Sequence, residues 1–360
     1  MIESILHQFS SIILSLIGIS FIIVFHEFGH YVFCKLFNVY TPTFSIGIGK
    51  ILYSKKIGDT DFCISAGPIG GYVEVASESG INGSLGFNQI PYYQKVLMML
   101  GGIMFNFILA YLLFVVLFFT GMPDSGQAPY ETNTTVIAKV QENSINLSNI
   151  HPNDQLISVD NQNINNDLTI ARKIISSYKP IDATAFPATI PAAVNRSGEI
   201  IHIDLALKGP LLSNFISKQL EVSFEPKPSL SLSKSIQQAY IATNFYLGAI
   251  INGLKDMASS RNTNGLIGPL KAVMIGSKSS QKGFKSLLFF LALISINLGF
   301  MNLLPLPIFD GGQFVIFTIE AITRKELSEK VRHAVGICSW ALAIGLLVVF
   351  TVRDLYSLIF

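Results

Sequence analysis

The first apolar segment, residues 5–37, constrains the fold of this chain more than any other stretch. A helix needs about 20 mainly apolar residues to cross a bilayer, and this segment supplies them. Towards its C-terminal end it carries His26, Glu27 and His30. Ionisable side chains at membrane depth are costly and mark candidate functional positions. The segment therefore predicts a membrane helix with a polar site built into it.

An apolar run of this kind is also typical of a cleaved signal peptide. Such a peptide has a basic region before the run and a small-residue cleavage site after it. Here the first basic residue is Lys35, and no small-residue cleavage site follows. We therefore expect the segment to be retained as a helix.

The composition indicates a membrane protein. Hydrophobic residues make up 50% of the 360 residues and charged residues only 13%, whereas a soluble domain carries about 25% charged residues. A formal net charge of +2 is too small to indicate a nucleic-acid-binding surface, so membrane lipid is the expected environment. The three cysteines follow no metal-ribbon or disulfide pattern.

Residues 26–30 read H-E-F-G-H, a pattern with a direct chemical interpretation. On a helix, positions i and i+4 share a face, so His26 and His30 can bind one Zn²⁺ together. Glu27 lies close enough to an open coordination position to take a proton from water. The same pattern also occurs by chance in chains without a metal site. Its position in an apolar segment favours the zinc site.

Three further segments are long and apolar enough to cross a bilayer: residues 96–120, 287–304 and 334–352. Residues 231–258 have apolar residues at helical spacing, but their apolar core is shorter and contains Asn244 and Asn252. That pattern favours a helix lying in the interface. We therefore expect an α-helical polytopic membrane protein with four transmembrane helices. In the second of them, close helix packing is expected at Gly101 and Gly102, and Asn106 is a candidate for bonding a neighbouring helix.

The third span ends in the sequence N-L-L-P-L-P-I-F-D-G-G-Q, residues 302–313. Its prolines should break the helix and lift Asp310 out of regular geometry, where the carboxylate needs a cation as partner. Alternatively, Asp310 caps the next helix just outside the bilayer. Asn302 either bonds a backbone carbonyl freed by Pro305 or donates to the oxyanion of a reaction at the site.

The histidines and Asp310 can share a metal only if the first and third spans run in the same direction. This requires four spans, with residues 231–258 on the membrane surface. The basic residues agree, because they concentrate in the first and third loops, which would both be cytoplasmic. These residues are Lys35, Lys50, Lys55, Lys56, Lys95, Arg324, Lys325, Lys330 and Arg332.

Two regions between the spans have other structures. Residues 38–95 are rich in glycine and β-forming residues, which predicts a curled, membrane-associated β-hairpin near the site or an ordinary connecting loop. Residues 121–230 combine alternating apolar runs with one helical stretch and resemble a single α+β PDZ-like domain. In one turn of this insert, Asn153 stands where such domains often have a glycine. Asparagine tolerates the left-handed backbone conformation that this position favours.

These segments give four parts of the chain. The first, 1–120, holds two spans, the H-E-x-x-H motif and the hairpin. The PDZ-like insert occupies 121–230, and an interfacial helix with a linker occupies 231–285. The last part, 286–360, holds the remaining two spans and the motif that contains Asp310.

Taken together, these features make the chain resemble the site-2 protease family of intramembrane zinc metalloproteases, especially the bacterial regulator-of-sigma-E proteases. The resemblance covers essentially the whole chain and rests on residues 26–30, 70–73 and 302–312, the Asn106 helix and the single insert. It implies His26, His30 and Asp310 as Zn²⁺ ligands and Glu27 as general base. It also implies Asn302 beside the reacting carbonyl and a hairpin that engages substrate, for which Gly70, Gly71 and Tyr72 are the candidate residues.

The chain departs from the family pattern in three places. Residues 100–103 read L-G-G-I where Ala-Gly-Pro is usual, and Gln313 follows the Asp-Gly-Gly sequence where His is usual. There is also room for one PDZ domain where many members have two. None of these changes affects a proposed ligand. Gln313 changes a polar group expected near the ligands, where such groups adjust metal binding.

The resemblance implies regulated intramembrane proteolysis of a single-span protein, such as an anti-sigma factor or a signal-peptide remnant. The expected location is the bacterial inner membrane, with the PDZ-like insert extracytoplasmic. The alternative is a catalytically silent scaffold that binds membrane helices. The presence of Glu27 favours the enzyme, because a scaffold does not need a base.

Overall fold

The computed structural model describes residues 2–80, 83–123, 133–177, 188–207, 220–226, 229–260, 268–325 and 327–359. It contains two compact units. The helical unit comprises Met1–Val116 and Ile236–Phe360, and the inserted unit comprises Leu117–Ser235.

The helices and strands follow one another along the described chain. The helices are α1 (Ile2–Leu36), α2 (Tyr92–Thr120), α3 (Leu168–Ser177), α4 (Leu232–Ser260), α5 (Pro269–Gln281), α6 (Phe284–Asn302), α7 (Asp310–Thr323) and α8 (Glu329–Ile359). The strands are β1 (Thr43–Ile57), β2 (Thr60–Glu74), β3 (Asn133–Val140), β4 (Gln155–Val159), β5 (Gln162–Asn163), β6 (Ala188–Arg196), β7 (Glu199–Leu207) and β8 (Val222–Pro226). A short 3₁₀ helix, Phe87–Gln89, precedes α2.

The predicted four membrane helices are confirmed. Within the described residues, four helical stretches are long and apolar enough to span a bilayer: His7–Leu36, Tyr92–Thr120, Phe284–Asn302 and His333–Tyr356. They belong to α1, α2, α6 and α8, and α4 is not among them. The chain is therefore a multi-pass membrane protein.

Helices α1 and α6 run in the same direction, as the sequence argument requires. Gly18 lies against Leu291, and His26 lies 3.4 Å from Asn302, about two turns further along α1 and about three turns further along α6. Ile22 on α1 packs in a buried cluster with Leu287 and Phe290 of α6. The C-terminal ends of these two spans therefore meet at the same level.

Helices α1 and α2 cross at glycines. A methyl group on Gly29 would lie only 2.9 Å from Cα of Gly102, and one on Gly101 would lie 2.7 Å from the carbonyl oxygen of Gly29. Side chains larger than hydrogen would push the backbones apart. The predicted close packing at Gly101 and Gly102 is confirmed.

Strands β1 and β2 form an irregular antiparallel sheet, longer than the short strands that the sequence suggests. The first part of β1 pairs on both sides, because Phe44 lies opposite both Phe62 and Val73. The second part of β1 pairs with the first part of β2, where Lys55 lies opposite Phe62. Tyr31 of α1 packs edge-on against Phe44 and Phe62 and holds the sheet against the helix. We call this element the hairpin sheet.

The structure contains α5 and α7, two helices of the helical unit that the sequence analysis does not predict. Helix α5 lies where a linker was expected, and the amide of its Lys271 donates to the carboxylate of Asp354, 83 residues away in α8. Helix α7 begins at Asp310, so the expectation that Asp310 lies outside regular geometry is wrong. The glycines at 311 and 312 have low helix propensity but are needed because carbonyls of Leu303 and Leu306 lie against them.

The inserted unit contains a six-stranded sheet and α3. The strand order is β7-β6-β4-β3-β8, with β5 paired to β4, and the pairings are antiparallel. Its core buries residues such as Leu156, Leu168 and Ile190 completely or almost so. Asn153 has φ 69°, the left-handed conformation for which the sequence analysis singled it out. The PDZ-like assignment of this unit stays a prediction.

An ion pair between buried Asp154 and partly exposed Arg196 stabilises the turn before β4. The carboxylate of Asp154, 1% exposed, accepts hydrogen bonds from Nε and Nη2 of Arg196, both at 2.8 Å, and from the amide of His151. Burial opposes ionisation of Asp154, but the hydrogen bonds from Arg196 and His151 outweigh it, so its pKa lies below the usual value. The ionised pair therefore stabilises the folded unit at neutral pH.

Replacing Asp154 with Asn should destabilise the inserted unit, because Arg196 would lose its buried counter-charge. We expect about 1–2 kcal/mol less free energy of unfolding at pH 7, because water partly screens the charge of Arg196. Since the folded pKa is depressed, this contribution is present above the unfolded pKa of about 3.9 and is lost as pH falls through the lower folded value. Amide hydrogen exchange of the inserted unit in the full chain measures it, with Asp204→Asn, an exposed acid, as control. A difference that persists unchanged at pH 2 would contradict the role of the pair.

Candidate metal centre

Three side chains from α1 and α7 converge at one point of the helical unit. His26 Nε2 lies 3.2 Å from His30 Nε2 and 3.1 Å from Asp310 Oδ2. His30 Nε2 lies 3.4 Å from the same oxygen. Both histidines are buried, and among the described residues this is the one cluster of three or more His, Cys, Asp or Glu side chains suited to hold a metal ion.

The spacing of these three atoms fits zinc. In a tetrahedral zinc site with bonds of about 2.0–2.1 Å, neighbouring ligand atoms lie roughly 3.3–3.4 Å apart. The observed separations of 3.1, 3.2 and 3.4 Å are close to this value. Asp310 Oδ2 is buried and has no hydrogen-bond partner among the described residues. Two imidazole nitrogens and a carboxylate oxygen, with their lone pairs facing one another, need a cation between them.

Helix α2 orients both imidazole rings. His30 Nδ1 lies 2.7 Å from the carbonyl oxygen of Met98, and because a carbonyl only accepts, the proton is on Nδ1. Nε2 of His30 therefore presents a lone pair to the cluster. The side-chain amide of Asn106, which is completely buried, lies 2.9 Å from His26 Nδ1.

Asn106 can support the metal-binding form of His26 through its oxygen. Nδ2 of the amide faces His26 Nδ1, and Oδ1 has no hydrogen-bond partner in the described part of the chain. A 180° rotation of the amide exchanges these atoms. When Nε2 binds a metal, Nδ1 carries the proton and needs the acceptor Oδ1. Ser295 of α6 donates to the backbone carbonyl of Asn106 at 2.8 Å and fixes this turn of α2.

Gly102 provides the space that the ligands need. A methyl group there would lie 2.7 Å from Cε1 and 2.8 Å from Nε2 of His26, and it would overlap His30 Nε2. A side chain at this position would occupy the space in which the ligand atoms meet. Sequence reasoning assigned Gly102 to helix packing only, because periodicity does not show which face of α2 meets the histidines.

Asp310 reaches the histidines because the chain folds back after α6. Phe309 is the N-cap of α7, and Asp310 is the first helical residue. Methyl groups on Gly311 and Gly312 would lie within 2.7 Å of the backbone at Leu304 and Pro307. The two glycines therefore let the loop lie directly on the first turn of α7. The carboxylate faces the histidines rather than capping the helix.

Residues 71–74 form one edge of the hairpin sheet, which we call its inner edge, and this edge lies beside Glu27. A methyl group on Gly71 would lie 3.8 Å from Cγ of Glu27 and 3.3 Å from Cγ2 of Val24. The backbone of Val73, two residues further along, hydrogen-bonds the carboxylate of Glu27. Gly70 has φ +89°, which favours glycine. Tyr72 is paired with Ser45 on the opposite face of the sheet from Gly71.

Asn302, the last residue of α6, also reaches the cluster. Its Nδ2 lies 3.4 Å from His26 Nε2, and the residue is 9% exposed. If Nε2 binds a metal, its lone pair is engaged, and the amide N–H of Asn302 is free to donate to another acceptor at the site. The structure thus brings His26, His30, Asp310, Glu27 and Asn302 together, with Gly71 at the edge.

Comparison with known proteins gives concordant findings. The family model described as Peptidase family M50 matches residues 14–346. Three bacterial relatives, each named "Putative zinc metalloprotease", match over nearly their whole length. The chain is 26% identical to the one from Clostridium perfringens (96% of this chain, 98% of the relative). It is 27% identical to those from Fusobacterium nucleatum and Helicobacter pylori, again over 96% of this chain and 98% of each relative.

Replacing Asn106 with Leu should weaken zinc binding, because protonated Nδ1 of His26 would lose its acceptor. We expect affinity to fall about 10–100-fold, whereas Asn106→Asp, which keeps an acceptor oxygen, should retain most of it. Competition with a chromogenic chelator measures zinc affinity without requiring activity. Asn297→Leu, at an exposed asparagine of α6 that bonds within its own helix, is the matched control. Equal affinity in wild type and Asn106→Leu would show that the amide does not support the ligand.

Proposed function

The chain belongs to Peptidase family M50 and is a zinc metalloprotease, and we propose that it hydrolyses peptide bonds of single-span membrane proteins within the bilayer. The observation that carries this proposal is the position of the H-E-x-x-H motif. His26, Glu27 and His30 lie inside the candidate span His7–Leu36 and meet Asp310 there. A site at this depth is accessible to a membrane-embedded segment.

In this proposal His26, His30 and Asp310 hold the zinc ion. Bound zinc supplies Lewis-acid polarisation of the scissile carbonyl and lowers the pKa of water at the site. Met98 and Asn106 hold the histidine rings so that Nε2 of each faces the cluster. The protein thereby keeps the ligand set fixed before substrate binds.

Glu27 acts as the general base and then as the general acid. Its carboxylate accepts a proton from the attacking water and returns it to the nitrogen of the leaving amine, as the carbon–nitrogen bond breaks. The hydrogen bond from Val73 and the contact with Gly71 keep the carboxylate beside the inner edge of the hairpin sheet. A base held at that edge is well placed to act on a peptide lying along it.

Residues 71–74 bind the substrate by strand addition. They pair with residues 43–46 on one side, and within the described residues the strand register gives them no partner on the other. A transmembrane helix hides its carbonyls in its own hydrogen bonds, so the cleaved stretch must unwind first. Pairing with the free edge replaces the lost hydrogen bonds and presents an extended backbone. Gly70 and Gly71 permit close approach of the two backbones.

Asn302 stabilises the developing negative charge on the carbonyl oxygen. Its amide nitrogen is near the ligand atoms, and metal binding to His26 frees its N–H to donate. A preorganised donor in a buried site is effective because water does not compete with it.

The substrate, the membrane and the role of the inserted unit are proposed from the family resemblance. The substrate is an anti-sigma-factor-like protein or a signal-peptide remnant, and the membrane is the bacterial inner membrane. The inserted unit acts as an extracytoplasmic PDZ-like domain that binds trimmed C-termini or excludes large substrates. The concentration of Lys and Arg in the first and third loops supports this orientation.

Replacing Glu27 with Gln should abolish most cleavage without releasing zinc, because the general base is lost and the ligands are unchanged. We expect a rate at least about 100-fold lower for a reconstituted single-span substrate. Zinc content by elemental analysis accompanies the assay. Glu142→Gln, an exposed acid of the inserted unit, is the control for charge loss. Cleavage by Glu27→Gln at the wild-type rate would overturn the assignment.

Replacing Asn302 with Leu tests the oxyanion role. We expect kcat to fall about 10²–10³-fold, with KM, zinc content and thermal stability near wild type, because the amide acts on the transition state. Asn297→Leu on the same helix is the matched control, since Asn297 is exposed and bonds only within its own helix. Parallel loss of zinc and thermal stability would instead show that Asn302 supports the structure.

A further inference from the structure

The outer edge of the hairpin sheet, residues 50–57, is a surface that the proposed reaction does not use. Every residue from 50 to 57 is exposed. Its strand partners in the described structure come from β2 on one side only, where Tyr53 lies opposite Ile64 and Ile57 opposite Thr60. The other side of this strand is open. We call residues 50–57 the outer strand.

The outer strand combines positive charge with exposed apolar side chains. It contains Lys50, Lys55 and Lys56 and no acidic residue. Leu52 is 67% exposed and Tyr53 58% exposed. Lysines next to tyrosine and aliphatic residues are typical of protein surfaces at the boundary between lipid headgroups and acyl chains.

The three lysines have free charges. None of them forms an ion pair within the part of the chain that the structure describes. The nearest acids in sequence are Asp59, which interacts with Lys35, and Asp61, which lies opposite Lys56 in the register. The strand therefore presents an excess of positive charge to its surroundings.

The position of the outer strand relative to the end of α1 indicates what surrounds it. At the end of the outer strand, Thr60 Oγ1 donates to the carbonyl of Thr41 at 2.6 Å, and the amide of Asp61 donates to the carbonyl of Pro42. These carbonyls follow α1 closely, and the candidate span in α1 ends at Leu36. Lys55 and Lys56 thus lie near the level at which that helix leaves the bilayer, where headgroups are found.

One face of the hairpin sheet carries a row of exposed apolar side chains that begins at the outer strand. Tyr53, Ile64 and Ile46 form a row across three neighbouring strand segments, and each is about half exposed. Lys55 lies on the same face, one pair further along. A phospholipid matches this arrangement, since its acyl chains can cover the row while its headgroup meets Lys55 and Lys56.

We propose that the outer strand is a binding site for anionic phospholipids of the surrounding bilayer. The positive charges of Lys55 and Lys56 select a negative headgroup over a zwitterionic one, by about fivefold for a single lysine close to the surface. The apolar row holds the acyl chains. Because the opposite edge of this sheet carries Gly71 beside Glu27, bound lipid also supports the sheet at the site.

The single tryptophan of the chain makes a direct test practical. In a Trp340→Phe background, Tyr53→Trp places the only indole in the outer strand. The 360-residue chain is reconstituted in mixed phosphatidylglycerol and phosphatidylcholine bilayers in which one lipid or the other carries brominated chains. Bromine quenches indole fluorescence on contact, so the ratio of quenching by the two brominated lipids gives the lipid preference at position 53.

We expect brominated phosphatidylglycerol to quench the indole at 53 at several-fold lower mole fraction than brominated phosphatidylcholine. Replacing Lys50, Lys55 and Lys56 with Gln should bring the ratio to one, with zinc content unchanged as a test of folding. The wild-type chain is the internal control, because Trp340 is 73% exposed on α8 and should show no preference. Equal quenching by both lipids at position 53 would overturn the proposal. Absence of quenching by either would also overturn it and would favour a water-soluble acidic partner.

Discussion

The helical unit is organised around three electron-pair donors that face one another, two from the span in α1 and one from the first turn of α7. His26, His30 and Asp310 bring their ligand atoms within 3.4 Å, an arrangement that is unfavourable without a cation. Other contacts within the helical unit bring these three side chains together and orient them. The glycine crossing of α1 and α2 brings Met98 and Asn106 to the rings, and the parallel course of α1 and α6 brings the loop before Asp310 to the same level.

Much of the site could be predicted from the sequence because it depends on local patterns. The i, i+4 histidines share a face on any helix, and four apolar runs of sufficient length determine how many times the chain crosses the bilayer. The parity argument then required α1 and α6 to be parallel, which the contacts of Gly18 and His26 show. The ligand roles themselves remain predictions supported by geometry.

What could not be predicted depends on contacts between distant residues. Helix α5 is capped by Asp354 from another span, and no local signal announces such a cap. Helix α7 has glycines at its second and third positions, which would indicate a break in a helix if the carbonyls of the preceding loop did not lie against them. The role of Gly102 depends on which face of α2 meets α1. Strand β6 contains Pro191 within an alanine-rich run, a composition that weakens the strand signal although both neighbours pair with it.

The separation of the ligands along the chain has a consequence for biosynthesis. His30 and Asp310 are 280 positions apart (310 − 30), and a ribosome adds about 5–20 residues per second. The histidine pair therefore waits roughly 15–55 s in the membrane before its carboxylate partner is made. During that interval only two of the three predicted ligands exist. The three side chains can therefore come together only late in the life of the nascent chain, after residue 310 has been added.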